Sequence, residues 1–440
     1  MMKHTFLFAI TIFFFIPFKG LTQNSQDSVL QNATLYNCIQ YALKHQPIIQ
    51  QSLIDEKITK ETIRTKLADW YPQLNLNANY QNYIQLPTSY FSGNYVNNGT
   101  HNITGINFTA TQNIFNRDVL LASRTAPDVR REIRQITDSN RISIAAEVGK
   151  TFYDVLLTQK QIDVLDEDIL RLNRSLKDAY NQYQGGIVDK TDYKRATISL
   201  NNAKAQRKQG EGLLTAKYFF LKQLMGYPDS AYLQLQYDST QLEIDAQLDT
   251  LQQINYDNRI EYKLLQTQKR LQQYNLKYYK WGFLPVVSAY GSYNINYFNN
   301  NFGKLYNQSF PNSDIGLQLS FSIFQGFKRI HQTRAAELQI ENVDWRIIFL
   351  KSRIVSEYAQ ALALYKGNLA NYDALKENVQ LANDVYNVIR LQYQQGIKTY
   401  LDVIIAESDL RTSQLNYYAA LYQLLQSKID VQKALGTIQY

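Results

Sequence analysis

The sequence predicts an internally duplicated α+β membrane protein, with four β-strands that belong to a larger barrel and very long coiled-coil helices. Three observations carry this. The stretch Tyr183-Gln184-Gly185-Gly186-Ile187 returns about 210 residues later as Tyr393-Gln394-Gln395-Gly396-Ile397, each copy followed by an acid at the same offset, Asp192 and Asp402. Two pairs of segments alternate apolar and polar residues with a period of two. Two further segments keep a helical period over roughly 70 residues, far beyond the usual 10 to 14 of a globular helix.

The chain has 440 residues and is rich in tyrosine (34), a residue suited to surfaces that are partly wet and partly apolar. Its first residues read as a secretory signal. Lys3 and His4 precede an apolar run from Thr5 to Phe18, which is shorter than the ~20 residues a bilayer span needs. The expected leader is 1–22, with Gly20-Leu21-Thr22 as the cleavage region and an uncleaved anchor as the alternative. Removing Lys3 and Lys19 would take the formal charge from +8 to +6. This excess is spread along helices and gives no argument for nucleic acid. The single cysteine, Cys38, stands among Leu35, Ile39, Ala42 and Leu43 and reads as a buried structural thiol.

The expected organisation is a first repeat over 23–225, a linker over 226–251 and a second repeat over 252–440. In the first repeat, Thr34 to Asp69 is helical by pattern, with Thr34 as N-cap and Tyr71-Pro72 as its end. A β-hairpin follows over 73–115. Leu74, Leu76, Ala78 and Tyr80 alternate with asparagines, a turn-rich loop spans about Pro87 to Thr100, and alternation resumes at Ile106, Phe108 and Ala110. The second hairpin, 286–324, repeats this with Val287 to Tyr297, a loop of about Phe298 to Ser313, and Ile315 to Ile323. Each strand is long enough for a tilted membrane crossing.

A long helix follows each hairpin, Asn116 to Gln184 and Gly326 to Gln395, each roughly 100 Å long. Ile162, Leu165, Ile169, Leu172, Leu176, Ala179 and Tyr183 step by three and four, a heptad seam, and Val379, Tyr386 and Tyr393 keep the seven-residue step in the second copy. Pro127 predicts a local kink. Gly185, Gly186 and Gly396 then turn the chain in the left-handed conformation that ends helices. Return helices run from about Thr191 to Leu224 and from about Leu401 to Leu435, the first weakened by Gly210 and Gly212.

Four strands with one apolar face cannot close alone, and an open sheet edge in lipid is forbidden, so the hairpins must close with other copies. Three chains would supply twelve strands. No catalytic constellation is visible: the four histidines stand at no zinc-ligand spacing, and neither a phosphate-cradling glycine loop nor a nucleophile elbow occurs. The chain is therefore expected to be no enzyme and to hold no cofactor or metal.

The duplication, paired hairpins, paired long helices and the turn Tyr393-Gln394-Gln395-Gly396-Ile397-Lys398-Thr399-Tyr400-Leu401-Asp402-Val403 resemble the TolC-type outer-membrane efflux proteins over essentially the whole mature chain. That resemblance implies a homotrimer in the outer membrane, with a twelve-stranded barrel above a periplasmic helical tunnel. It also implies a passive exit duct, gated at its periplasmic end, that serves a periplasmic adaptor and an inner-membrane pump. On matching positions Tyr393 and Lys398 would be gate tethers, Thr191 and Asp192 their partners, and Asp402 a ring of three carboxylates. Gly185, Gly186 and Gly396 would mark the turns the adaptor grips. One departure is Ile405, where the family often has a second acid; Lys398 in place of an arginine would also be a weaker, non-bidentate lock. Thr191, Asp192 and Asp402 also suit helix capping, which is compatible with gating. The competing function is a periplasmic coiled-coil adaptor or scaffold without a barrel, against which the amphipathic hairpins argue. The cargo is not encoded in any recognisable motif.

Overall fold

The computed structural model of the chain describes residues 30, 32–186, 189–237 and 239–438; the expected leader 1–22 and Ile187 of the first turn lie outside them. The elements run α1 (Leu35–His45), α2 (Pro47–Leu67), β1 (Gln73–Asn82), β2 (Thr88–Phe91), β3 (Asn94–Asn97), β4 (Asn102–Phe115), α3 (Arg117–Gln184) and α4 (Lys190–Met225). They continue with α5 (Ser239–Asp245), α6 (Ile260–Lys280), β5 (Val286–Asn299), β6 (Phe310–Ser320), α7 (Lys328–Gln394) and α8 (Tyr400–Leu435).

Thr34 caps α1, its hydroxyl accepting the Asn37 amide at 3.3 Å. The helix does not reach Asp69 in one piece. Gln46 is extended, and Pro47 opens α2 at its first position. Proline has no N–H to give α1 and pushes the preceding residue out of helical geometry, so the segment breaks there. A 3₁₀ turn at Ala68–Trp70 ends α2, two residues before Pro72.

The two hairpins merge into one antiparallel sheet in the order β1-β4-β5-β6, with the β4–β5 pairing joining the repeats. Side chains alternate across a strand, so register decides which residues share a face. Leu76, Phe108 and Tyr293 lie opposite one another across three strands on the apolar face, and Asn77, Asn107, Asn294 and Asn312 form a row of carboxamides across four on the other. Asn107 donates to Asn294, and Asn294 to Asn312 at 2.7 Å. Asp314 is the one ionisable side chain on that polar face besides tyrosine hydroxyls, and Ser292 donates to it. The first outer loop is more ordered in pattern than a plain turn region: β2 and β3 pair as a small hairpin. The second is shorter than expected, a 3₁₀ segment whose Leu305 is buried and whose Tyr306 hydroxyl lies 3.3 Å from that of Thr104. Among the described residues β1 and β6 have no strand on their outer side. Their apolar side chains stand in the open, Leu74 at 79% and Ile315 at 91% exposure.

The shaft is set by α3 and α7, of 68 and 67 residues, each about 100 Å long. Helix α3 runs unbroken through Pro127. It packs on α4, α8, α2 and α6, while α7 packs on α8 and α6. Gly210 lies against Ile162, where an added Cβ would come within 3.2 Å of the isoleucine side chain, so this glycine permits close approach of α4 to α3. The largest core lies partway along the shaft, where Cys38, Ile49, Val148, Phe152, Leu221, Met225, Tyr365 and Leu424 meet. The linker closes over this core through Tyr227, Leu233, Leu235 and Ala246, with a bridge from Ala33 to Leu235. Cys38 is fully buried, and burial pushes its thiol up to about 12. No described helix is long and apolar enough to cross a membrane.

Candidate functional site

Both repeats turn at the foot of the shaft, and the turns gather the residues singled out above. Helix α7 ends in a Schellman arrangement: the Gly396 amide bonds to the Tyr393 carbonyl at 2.9 Å and the Ile397 amide to that of Gln392 at 2.9 Å. This needs a left-handed residue at Gly396, whose φ is +75°. In the first repeat Gly186 takes the same role at φ +71°, its amide bonding to the Tyr183 carbonyl at 3.0 Å. Gly185 was expected to share that conformation and does not. It caps α3 at φ −77°, within right-handed geometry.

Asp402 is the third residue of α8 and half of a capping box with Thr399. Its Oδ2 accepts the Thr399 amide at 2.9 Å and hydroxyl at 2.8 Å, while its own amide donates to Thr399 Oγ1 at 3.4 Å. Lys398 Nζ lies 3.8 Å from Oδ1. The hydrogen bonds from Thr399, with a smaller contribution from Lys398, hold the Asp402 carboxyl below its ordinary range. Asp192 occupies the matching third position of α4. The cap there is Asp189, which accepts the Thr191 amide at 2.9 Å. Thr191 is therefore not the cap: it sits inside the first turn and is exposed. Within one protomer Lys398 meets its own helix's Asp402, and neither Thr191 nor Asp192.

Tyr393 does join the repeats, but through Gln182: its hydroxyl donates to Oε1 at 2.7 Å. Burial raises the Tyr393 hydroxyl, and the nearby Asp178 and Asp192 raise it further. The ring lies 5.8 Å from that of Tyr400, which is buried with Ala179 and Ala196 between the two turns. Ile405, the apolar residue three positions after Asp402, is 52% exposed.

About two to three turns further up the shaft is a group that reading the sequence missed. Asp168 and Glu407, 0% and 1% exposed, meet Arg171 and Arg411 between α3 and α8. Its local signal was an acid at position 168, three residues after Leu165 and four before Leu172, on the apolar seam. Gln182 and Asp189 gave none that distinguishes them from surface polar residues. Among the described residues no group of His, Cys, Asp and Glu is placed to hold a metal ion.

These features match known proteins along most of the chain. The profile of the family described as outer membrane efflux protein matches residues 38–227 and 263–437. The outer membrane protein TolC of Escherichia coli (strain K12) is 22% identical over 435 residues, covering 95% of this chain and 85% of TolC. Among solved structures, the outer membrane protein VceC of Vibrio cholerae superposes with a TM-score of 0.72 at 15% identity, covering 91% of this chain and 96% of VceC. The CmeC outer membrane channel of Campylobacter jejuni superposes with a TM-score of 0.73 at 16% identity, covering 92% of this chain and 85% of CmeC. With both halves of the duplication inside the family match, and a four-stranded sheet set on two helices about 100 Å long, the chain belongs to the outer membrane efflux protein family.

Proposed function

We propose that this outer-membrane efflux protein is a homotrimeric exit duct for a periplasmic adaptor and an inner-membrane pump. Strand β6 of one copy pairs antiparallel with β1 of the next. This gives twelve strands whose apolar face meets outer-membrane lipid and whose asparagine-rich face lines water. The observation that carries this reading is the sheet's pair of unpartnered edges beside an exposed apolar face. Each unpaired backbone group would cost several kcal/mol in hydrocarbon, so the sheet has to be closed by other copies before it can sit in a bilayer. The shaft carries matching unpaired surface on α7, where Trp345, Phe349, Leu381, Val388 and Leu391 are exposed in the single chain.

In this reading the turns at Gly185, Gly186 and Gly396 are where the adaptor docks. Asp402 from three copies rings the periplasmic mouth, with Ile405 as an apolar ring beside it. Lys398 and Tyr393 then hold the closed mouth against Thr191 and Asp192 of a neighbouring hairpin. The partial exposure of Asp402 and Lys398 supports this, since groups locked into a single protomer's core have nothing to offer a second one. Transport through such a duct is passive, and the energy comes from the pump.

The experiment is extraction of outer membranes in mild detergent followed by planar-bilayer recording. Heat-sensitive trimers are expected, and Asp402→Ala and Lys398→Ala each raise single-channel conductance. A soluble monomer with its sheet edges hidden against its own helices would overturn the duct; unchanged conductance in both variants would remove these residues from the gate.

A further inference from the structure

Glu407 and Arg411 stand seven and eleven residues beyond Tyr400, about 10 and 16 Å up α8 from its start. There α8 of the second repeat lies against α3 of the first, and the contact is made of charge. Arg411 Nη1 donates to Asp168 Oδ2 at 3.0 Å, and Arg171 Nη2 to Asp168 Oδ1 at 3.4 Å. Asp168 is thus well served by two guanidinium groups. Glu407 is not. Both of its oxygens lack a hydrogen-bond partner, as does Arg171 Nε, which lies 3.8 Å from Oε1. A carboxylate buried without hydrogen bonds is costly, and the neutral acid is favoured over it.

The surroundings reinforce this. The charges acting on Glu407 are Asp168 and Arg171 of α3 and Arg411 of α8. Glu167 lies outside them, 3.7 Å from Arg171. From α7 the facing group is Tyr386, 6% exposed, with Arg390 over its ring at 5.8 Å. From α8 it is Tyr400, 2% exposed, whose hydroxyl also lacks a partner. Both tyrosine hydroxyls are raised, so neither supplies a negative charge at neutral pH.

We infer that this cluster is a proton-dependent latch between the two hairpins: Glu407 with its proton keeps the α7–α8 hairpin seated on α3, and loss of that proton favours its separation and an open mouth. The inference rests on the gated-mouth reading above for its consequence, though not for its chemistry. Burial and the Asp168 charge push Glu407 up to about 7 against an ordinary 4.5. The seated arrangement therefore holds the proton more tightly than an exposed glutamate does. It is favoured at low pH, and that advantage is lost as pH rises through 7. Full exposure on separation would shift the balance toward the separated form by about 30-fold between pH 5.5 and 8.5.

Two readouts on the full-length trimer test this: hydrogen-exchange protection of amides 400–411, corrected for intrinsic rate, and single-channel conductance. Both are taken at pH 5.5 and 8.5. In the unaltered protein, protection is expected to fall by several-fold up to about 30-fold at the higher pH, with conductance rising. Glu407→Gln, or Glu407→Met should the glutamine variant fail to assemble, keeps the protection seen at pH 5.5 at both pH values. Protection in these variants that tracks the unaltered protein at both pH values overturns the latch. If the pH effect on protection vanishes with Glu407 while conductance is flat in every variant, Asp402→Ala included, the latch stands and the gated mouth falls.

Discussion

The two turns at the foot of the shaft descend from one plan, yet they are stabilised differently. In the second, Thr399, Asp402 and Lys398 form a closed set in which the acid accepts an amide and a hydroxyl and stands 3.8 Å from a neighbouring ammonium. In the first, Asp189 alone makes the cap, and among the described residues the carboxylate of Asp192 takes no hydrogen bond or ion pair. The seams behind the turns differ as well. Leu172 in α3 corresponds to Ala382 in α7, and Leu176 to Tyr386, so aliphatic packing in one hairpin is replaced by tyrosine in the other. The α3–α4 hairpin is held by aliphatic packing. The α7–α8 hairpin, the inner one in the proposed duct, carries polar groups that can exchange partners, and the buried charges that tie it to α3. In the gated duct proposed above, duplication supplies one frame and one moving part from the same plan.

The largest expected effect tests the frame. Leu172 is 2% exposed and packs on Leu200 and Ala203. Leu172→Ala removes that packing and leaves a cavity, which costs about 3 kcal/mol. The loss should appear as reduced hydrogen-exchange protection across α3 and α4. A cost below about 1 kcal/mol would mean that the seam is not what holds this hairpin.

A middle-sized effect separates the caps. Thr399→Ala and Asp189→Ala each remove an N-cap side chain and should each lower helix-end stability by about 1 kcal/mol. Only the first also loosens Asp402, because the Thr399 hydroxyl both donates to its carboxylate and accepts its amide, leaving only the backbone amide of residue 399 to hydrogen-bond it. Conductance should therefore rise in Thr399→Ala and stay level in Asp189→Ala. Equal conductance in the two variants would erase the functional difference between the turns.

What could be read from residue order follows the range of the interactions involved. The seam from Ile162 to Tyr183 and the alternation in the strands are periodic and local, and both are found in place. The box between Thr399 and Asp402 is also local, spanning three residues. The break at Gln46 was visible as Pro47 but was overridden by the apolar pattern running through it. The pairings that matter most for the inner hairpin were out of reach. Asp168 and Arg411 are 243 residues apart, and Tyr393 and Gln182 are 211 apart. No periodicity reports which side of α3 will meet α8, and a polar residue such as Gln182 looks like any solvated one until a tyrosine from the other repeat arrives.

The smallest structural effect is the most informative about the inner turn. Lys398 and Asp402 are both about 40% exposed and 3.8 Å apart, and exposed pairs at such distances contribute little to stability. Lys398→Met should leave the melting midpoint unresolved from that of the parent, at low and at high salt alike. If Lys398 tethers a neighbouring hairpin, conductance nevertheless rises, because the lost contact is one made between copies in the closed mouth. Acidification probes the same turn with the opposite sign to Glu407. The Asp402 carboxyl is held below its ordinary 3.8 by the hydrogen bonds from Thr399 and, less, by the charge of Lys398, so its contribution is present above that value and is lost as pH falls through its lowered one. The inner hairpin should therefore be most firmly closed in an acid window, below the titration of Glu407 near 7 and above that of Asp402. Conductance that is lowest in this window and rises on both sides would assign the two limits to two residues of one helix. A profile that stays monotonic from neutral pH down through the titration of Asp402 would mean that the capping box has no part in holding the mouth.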